Sequence, residues 1–253
     1  MRGIERFDKT ACFIDEGKTA GSLIVLCMKT YETASDKPDA TANGSSMAGR
    51  VPLWCKWGFT AFMAVLVPVY WTKYGPTNFL YFCDAALFLT LAAVWMESSL
   101  LASMAAVGIL LPQLFWCVDF AVELSGHHLS SMTSYMFDAQ KPLFLRGLSL
   151  FHGWLPFLLV FLVRRLGYDR RALISWTGLA WALCLVSFFL LPPAGATLPD
   201  PNMPLNVNYV FGMNDAVPQK LLPAGWYLVV WMLSLAALVY VPTHQILKKI
   251  KKS

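Results

Sequence analysis

Residues 100–121 read LLASMAAVGILLPQLFWCVDFA. The stretch holds one charged residue, Asp119. A helix needs about 20 apolar residues, at about 1.5 Å each, to cross the hydrocarbon core of a bilayer. This segment decides the fold because the pattern recurs on both sides of it. Further apolar runs cover about 54–71, 77–95, 143–163, 172–191 and 224–243. Runs of this length suit helices rather than barrel strands, and backbone groups in hydrocarbon need internal partners. The expectation is an all-α polytopic membrane bundle of six transmembrane helices. Pro112 and Pro156 lie inside runs and predict kinks. Trp54, Trp57, Trp71, Trp95 and Trp226 sit near run ends, as an interfacial aromatic belt requires.

Composition agrees. Of 253 residues, 57% are hydrophobic and 14% charged. That charged share is about half the ~25% usual for soluble domains, and mean hydropathy is +0.53. A disordered chain and a secreted disulfide scaffold are excluded. The net charge of +5 sits at the chain ends and in one loop, with no basic patch interleaved with aromatics, so no nucleic-acid partner is expected. The six cysteines (Cys12, Cys27, Cys55, Cys83, Cys117, Cys184) show no C-x-x-C spacing.

Residues 1–46 are polar, and their one apolar stretch, Ala20 to Met28, is too short to span. They are expected to form a disordered cytoplasmic tail, or to precede a true start at Met47, where MAGRVPLW begins. The membrane domain is then 47–247, followed by a basic tail at 248–253. With six spans, 16 Lys/Arg fall on the side of both termini and four on the other. The positive-inside rule places both termini in the cytoplasm.

Ionisable groups within spans are costly and need a reason. The second run carries Asn78, Cys83 and Asp84, the third Asp119, and the fourth Arg146, Ser149 and His152. At 1.5 Å per residue, Asp84 lies roughly 10 Å, Arg146 about 5 Å and His152 about 14 Å from the outer ends of their runs. All fall in the outer half of the bilayer. That asymmetry points to a polar pocket open to the outer side and roofed by two long loops. One loop, 123–142, has Leu129, Met132, Tyr135 and Met136 spaced for a short amphipathic surface helix. The other, 191–223, is proline-rich and contains NVNYVFG at 206–212, which brings Asn206 and Asn208. Arg146 facing Asp84 and Asp119 predicts ion pairing, either as helix–helix glue or as part of a binding site.

The candidate ligand-binding residues are therefore Asn78, Asp84, Asp119, Arg146, Asn206 and Asn208. Cys83 or Ser149 as nucleophile with His152 as base is the candidate catalytic set. No HxxxH or similar spacing indicates a metal, and no cofactor is assigned. Glu97 reads as a helix-end residue and His244 as interfacial. There is no Walker loop, GxGxxG, HExxH or GxSxG.

The segments YGPTNFLYFCD (74–84), SYMFDAQKPLFLRGLSLFH (134–152), NVNYVFG (206–212) and YVPTH (240–244) resemble a group of bacterial multi-pass integral membrane proteins. The resemblance covers residues 47–247 and implies membership without chemistry. In plan alone the chain is similar to the androgen-induced family of membrane hydrolases and acyltransferases, which pair a Thr or Cys nucleophile with a His on another helix. None of that family's residues transfers. The expected function is a membrane protein whose polar pocket binds a small molecule or lipid headgroup, with the lipid bilayer as partner. The alternative is a membrane-embedded acyl hydrolase or acyltransferase, with Arg146 holding an anionic headgroup. A small transporter is the third reading, disfavoured by the scarcity of polar residues in the inner half.

Overall fold

The computed structural model describes residues 51–130, 132–200 and 202–250, so the tail at 1–46, the Met47 start and residues 251–253 lie outside the described residues. Helices account for the spans, and no strand occurs among the described residues. Helix α1 runs Leu53–Tyr74, α2 Phe82–Met96 and α3 Ser99–Leu124. A short α4 (Leu143–Ser149) leads at Leu150 into α5 (Phe151–Leu166), and α6 covers Ala172–Leu190. Finally α7 (Ala224–Ser234) passes through a π-helical stretch, Leu235–Tyr240, into α8 (Val241–Leu247). Five stretches are long and apolar enough to cross a membrane: Leu53–Tyr74, Ser99–Leu124, Leu143–Leu166, Ala172–Leu190 and Ala224–Leu247. Phe82–Met96 is a shorter apolar sixth.

The expected second span thus divides. Gly75, at φ 78°, ends α1, and Pro76 opens a 3-10 turn over Pro76–Leu80. Helix α2 starts only at Phe82, and its 15 residues cover about 22 Å, less than the ~30 Å core. Non-helical backbone at membrane depth persists only where other protein groups satisfy it. The 206–209 loop does this: Asn208 Oδ1 accepts from Phe82 N at 3.0 Å, and its Nδ2 donates to Leu80 O at 2.9 Å.

Helix α3 is central and packs against α2, α5, α6 and α8. Its apolar window is 61% buried, against 17% for Ala224–Leu247 at the periphery. Ala102, Ser103, Ala105, Ala106 and Gly108 are small enough to let neighbouring helices approach closely. At one end of the bundle Lys56 Nζ meets Glu97 Oε1 at 2.8 Å, and Glu97, at φ 50°, is the helix-end residue the sequence indicated. Ser98 caps α3 by accepting from Leu101 N at 3.3 Å. The opposite end carries the α1–α2 turn and the two long loops, 125–142 and 191–223, and is called the loop end below.

Around the outside, Phe157, Ile174, Phe189, Leu190 and Leu238 are 71–80% exposed. Such outward apolar rings are costly in water and ordinary against lipid. Together with the apolar helices they are consistent with a multi-pass membrane protein.

Candidate functional site

A cavity of about 450 Å³ opens at the loop end, between α1, α2, α3, α4–α5 and the two long loops. Six of the nine residues singled out in the sequence line it: Asn78, Cys83, Asp84, Ser149, His152 and Asn208. The other three do not line it and hold the loops instead.

Asp119 is fully buried and accepts from Ser130 N (2.8 Å), Thr133 N (3.0 Å) and Thr133 Oγ1 (2.7 Å). It pins the 125–142 loop to α3. Arg146 Nη1 donates to Met136 O at 2.9 Å and holds the same loop from α4. Among the described residues no ion pair joins Arg146 to Asp84 or Asp119, so the expected pairing is corrected. The reason is that loop N–H and O–H donors satisfy the Asp119 carboxylate, and charge-assisted bonds of this kind are strong. The expected surface helix is corrected too. Among the described residues of the loop, Ser134–Met136 forms a 3-10 turn, with Met136 buried and Tyr135 lining the cavity. Asn206 shapes the second loop: its Oδ1 accepts from Phe211 N (2.8 Å), and its Nδ2 donates to Gly212 O (2.8 Å).

Within the cavity, Asp84 is 3% exposed. Its Oδ2 accepts from Asn78 Nδ2 at 3.2 Å and from the Cys83 thiol at 3.8 Å, while Oδ1 has no protein partner. Gln113 is 2% exposed, and neither its Nε2 nor its Oε1 has a protein partner. Trp116 Nε1 is also buried without one. Both residues line the cavity and both were missed in the sequence reading. The available signal was Gln113 as the sole side-chain amide in 100–121.

Proline chemistry places His152. Pro156 has no N–H, so the i−4 carbonyl, that of His152, is released from the helix ladder. Cys117 of α3 takes it up, its thiol donating to His152 O at 3.8 Å. The imidazole stacks on Trp116 (centroids 5.1 Å apart, 19° between planes) and on Phe151 (4.0 Å, 27°). Its Nδ1 lies 2.8 Å from Ser149 O. A carbonyl only accepts, so Nδ1 donates and the neutral ring keeps its lone pair on Nε2.

Neither expected nucleophile is hydrogen-bonded to His152. The Cys83 thiol turns to Asp84, and Ser149 Oγ bonds Tyr70 OH at 3.0 Å and Leu145 O at 3.4 Å. The remaining lining is aromatic, with Tyr70, Tyr74, Tyr81, Phe82, Tyr135 and Tyr209 prominent. Burial pushes the Tyr209 phenol up to about 12 and raises Tyr135 as well. These phenols therefore stay protonated and act as hydrogen-bonding groups rather than bases. Asn206, Asn208 and Tyr209 have φ of 48°, 61° and 58°. Asn tolerates that left-handed region, but for Tyr it is strained, and such strain clusters at ligand sites.

No protein-family model, curated protein or solved structure matches the chain. The resemblance to bacterial multi-pass proteins therefore rests on the quoted segments alone.

Proposed function

We propose that this chain binds the polar end of a small molecule or lipid in the loop-end cavity, from the outer half of a bacterial cytoplasmic membrane, with both termini in the cytoplasm. One observation carries the reading. Three buried side chains, Asp84, Gln113 and Trp116, bring polar atoms without protein partners to one cavity. Each such group costs about 1–3 kcal/mol when left unmade. A ligand that satisfies them recovers that free energy on binding, which is why sites are often less stable than their surroundings. The strained Tyr209 backbone at the same place supports the reading.

The test is Gln113→Leu, measured by thermal unfolding of the purified, delipidated chain. An amide serving a ligand is a liability without it, so the variant is expected to be more stable by about 1 kcal/mol or more. A structural amide gives the opposite sign, and a destabilised variant sinks the proposal.

A second reading, acyl transfer or hydrolysis, is favoured by Cys83 and His152 opening on one cavity with the His152 lone pair on Nε2. Catalytic hydrogen bonds often tighten only around substrate. The Cys83 sulfur would attack an ester carbonyl as His152 takes the thiol proton and returns it to the leaving alcohol. The acyl group would then rest on sulfur until water or a second alcohol removes it. Incubation with a fatty-acid p-nitrophenyl ester should add one acyl mass to the wild type and none to Cys83→Ala. No adduct on the wild type, or an adduct that survives Cys83→Ala, counts against it.

A further inference from the structure

We propose that the cavity recognises a positively charged organic ammonium group, held between the Asp84 carboxylate and the faces of the surrounding aromatic rings. This rests on the reading of the cavity as a ligand site and names the class of ligand.

The charge count comes first. The lining holds two carboxylates, Asp84 and Asp215, against one fixed cation, Lys141. Among the described residues no Lys, Arg or His forms an ion pair with Asp84. Its partners, the Asn78 amide and the Cys83 thiol, are both neutral, and Oδ1 has none. Asp84 stands in the first turn of α2, where the helix dipole favours its negative form. A buried carboxylate without a counter-charge is costly enough to favour the neutral acid, and a cationic ligand would supply the partner that holds it charged.

The rings supply the second part. Tyr70, Tyr74, Tyr81, Trp116, Tyr135 and Tyr209 line one cavity. Aromatic faces carry negative potential, and several around one space form the arrangement that holds quaternary ammonium groups. One face already takes a cation: Lys141 Nζ lies 5.4 Å from the Tyr135 ring centroid.

The third part excludes the opposite charge. An anionic headgroup needs a guanidinium fork or clustered N–H donors. Arg146, the residue expected to serve that purpose, lies outside the lining and donates to Met136 O. A phosphate or carboxylate in the cavity would meet Asp84 and Asp215 instead.

The ammonium could belong to a soluble amine or to a zwitterionic lipid headgroup, and the experiment separates them. The full chain in detergent is titrated calorimetrically with choline and with its neutral isostere, in which carbon replaces nitrogen. Choline is expected to bind at least about tenfold more tightly than the isostere. Asp84→Asn keeps the side-chain volume and should cut that preference severalfold, leaving the part the rings supply. Lys141→Gln removes the resident cation from Tyr135 and should tighten choline binding. The unfolding midpoint is then compared in phosphatidylcholine and phosphatidylglycerol nanodiscs. A higher midpoint in phosphatidylcholine identifies a lipid headgroup as the source, and equal midpoints with retained choline binding identify a soluble amine.

Equal binding of choline and the isostere overturns the ammonium inference and leaves the ligand-site reading standing. A preference unchanged in a folded Asp84→Asn variant overturns it too. Binding of neither probe, together with a destabilised Gln113→Leu, removes both.

Discussion

Asn208→Leu is expected to cost about 3–6 kcal/mol and to abolish accumulation of folded protein. The side chain is 2% exposed and answers for backbone that nothing else satisfies. Its Oδ1 takes the N–H of Phe82, the first residue of α2, at 3.0 Å. Its Nδ2 reaches Leu80 O at 2.9 Å and Ser187 Oγ at 3.3 Å. Leucine would strand two backbone groups that have no other protein partner, at about 1–3 kcal/mol each. It would also occupy φ 61°, a region that Asn tolerates and Leu does not. Asn208→Asp keeps the acceptor for Phe82 N and loses both donor bonds, so it should fall between the two. Membrane-fraction yield and the thermal midpoint in detergent report the order, and a leucine variant within about 1 kcal/mol of the parent would refute the account.

The second large effect is expected at the crossing of α3 and α6. A Cβ on Gly108 would lie 1.9 Å from Trp176 Cε2 and 2.1 Å from Cζ2. Trp176 is fully buried, so the indole has no open space to enter. Gly108→Ala should therefore cost about 3 kcal/mol, the upper part of the usual overpacking range. The gain in helix propensity, about 1 kcal/mol, is too small to offset it. Trp176→Leu alone leaves a cavity and costs about 3 kcal/mol or more. Combined, the methyl occupies part of the space the indole vacates. The double variant should be more stable than the sum of the singles by about 1 kcal/mol or more, measured as a double-mutant cycle. Strict additivity would show that the close approach is not what glycine provides here.

How much of this was legible in the sequence varies by element. The central helix was, because a long apolar run admits one solution in hydrocarbon, and 100–121 lies wholly within Ser99–Leu124. The second span was legible in place but not in form. Hydropathy cannot distinguish a helix starting at Thr77 from a 3-10 turn followed by one starting at Phe82. The turn exists because Asn208, distant in sequence, supplies the missing hydrogen bonds.

For the candidate site, helical depth alone brought Asn78, Cys83, Asp84, Ser149 and His152 to one level, and these line one cavity. Depth could not say which charges face each other. Arg146 and Asp119 share that level, yet each turns to the 125–142 loop. The aromatic lining was hidden for a related reason. A tyrosine at a run end reads equally well as a membrane anchor, and only the folded loops turn Tyr135 and Tyr209 to the cavity.

What the sequence determined by itself is the all-helical class and the place of the long apolar helices. Those depend on local apolar length against a bilayer of known thickness. What only the tertiary structure decided is which polar groups are left unsatisfied. Asp84, Gln113 and Asp119 are all polar residues in apolar runs, but Asp119 finds the folded-back loop that follows its own helix while Asp84 Oδ1 and Gln113 find no protein partner. Hydrogen-bond satisfaction is a property of three-dimensional neighbours and has no counterpart in a single run of residues.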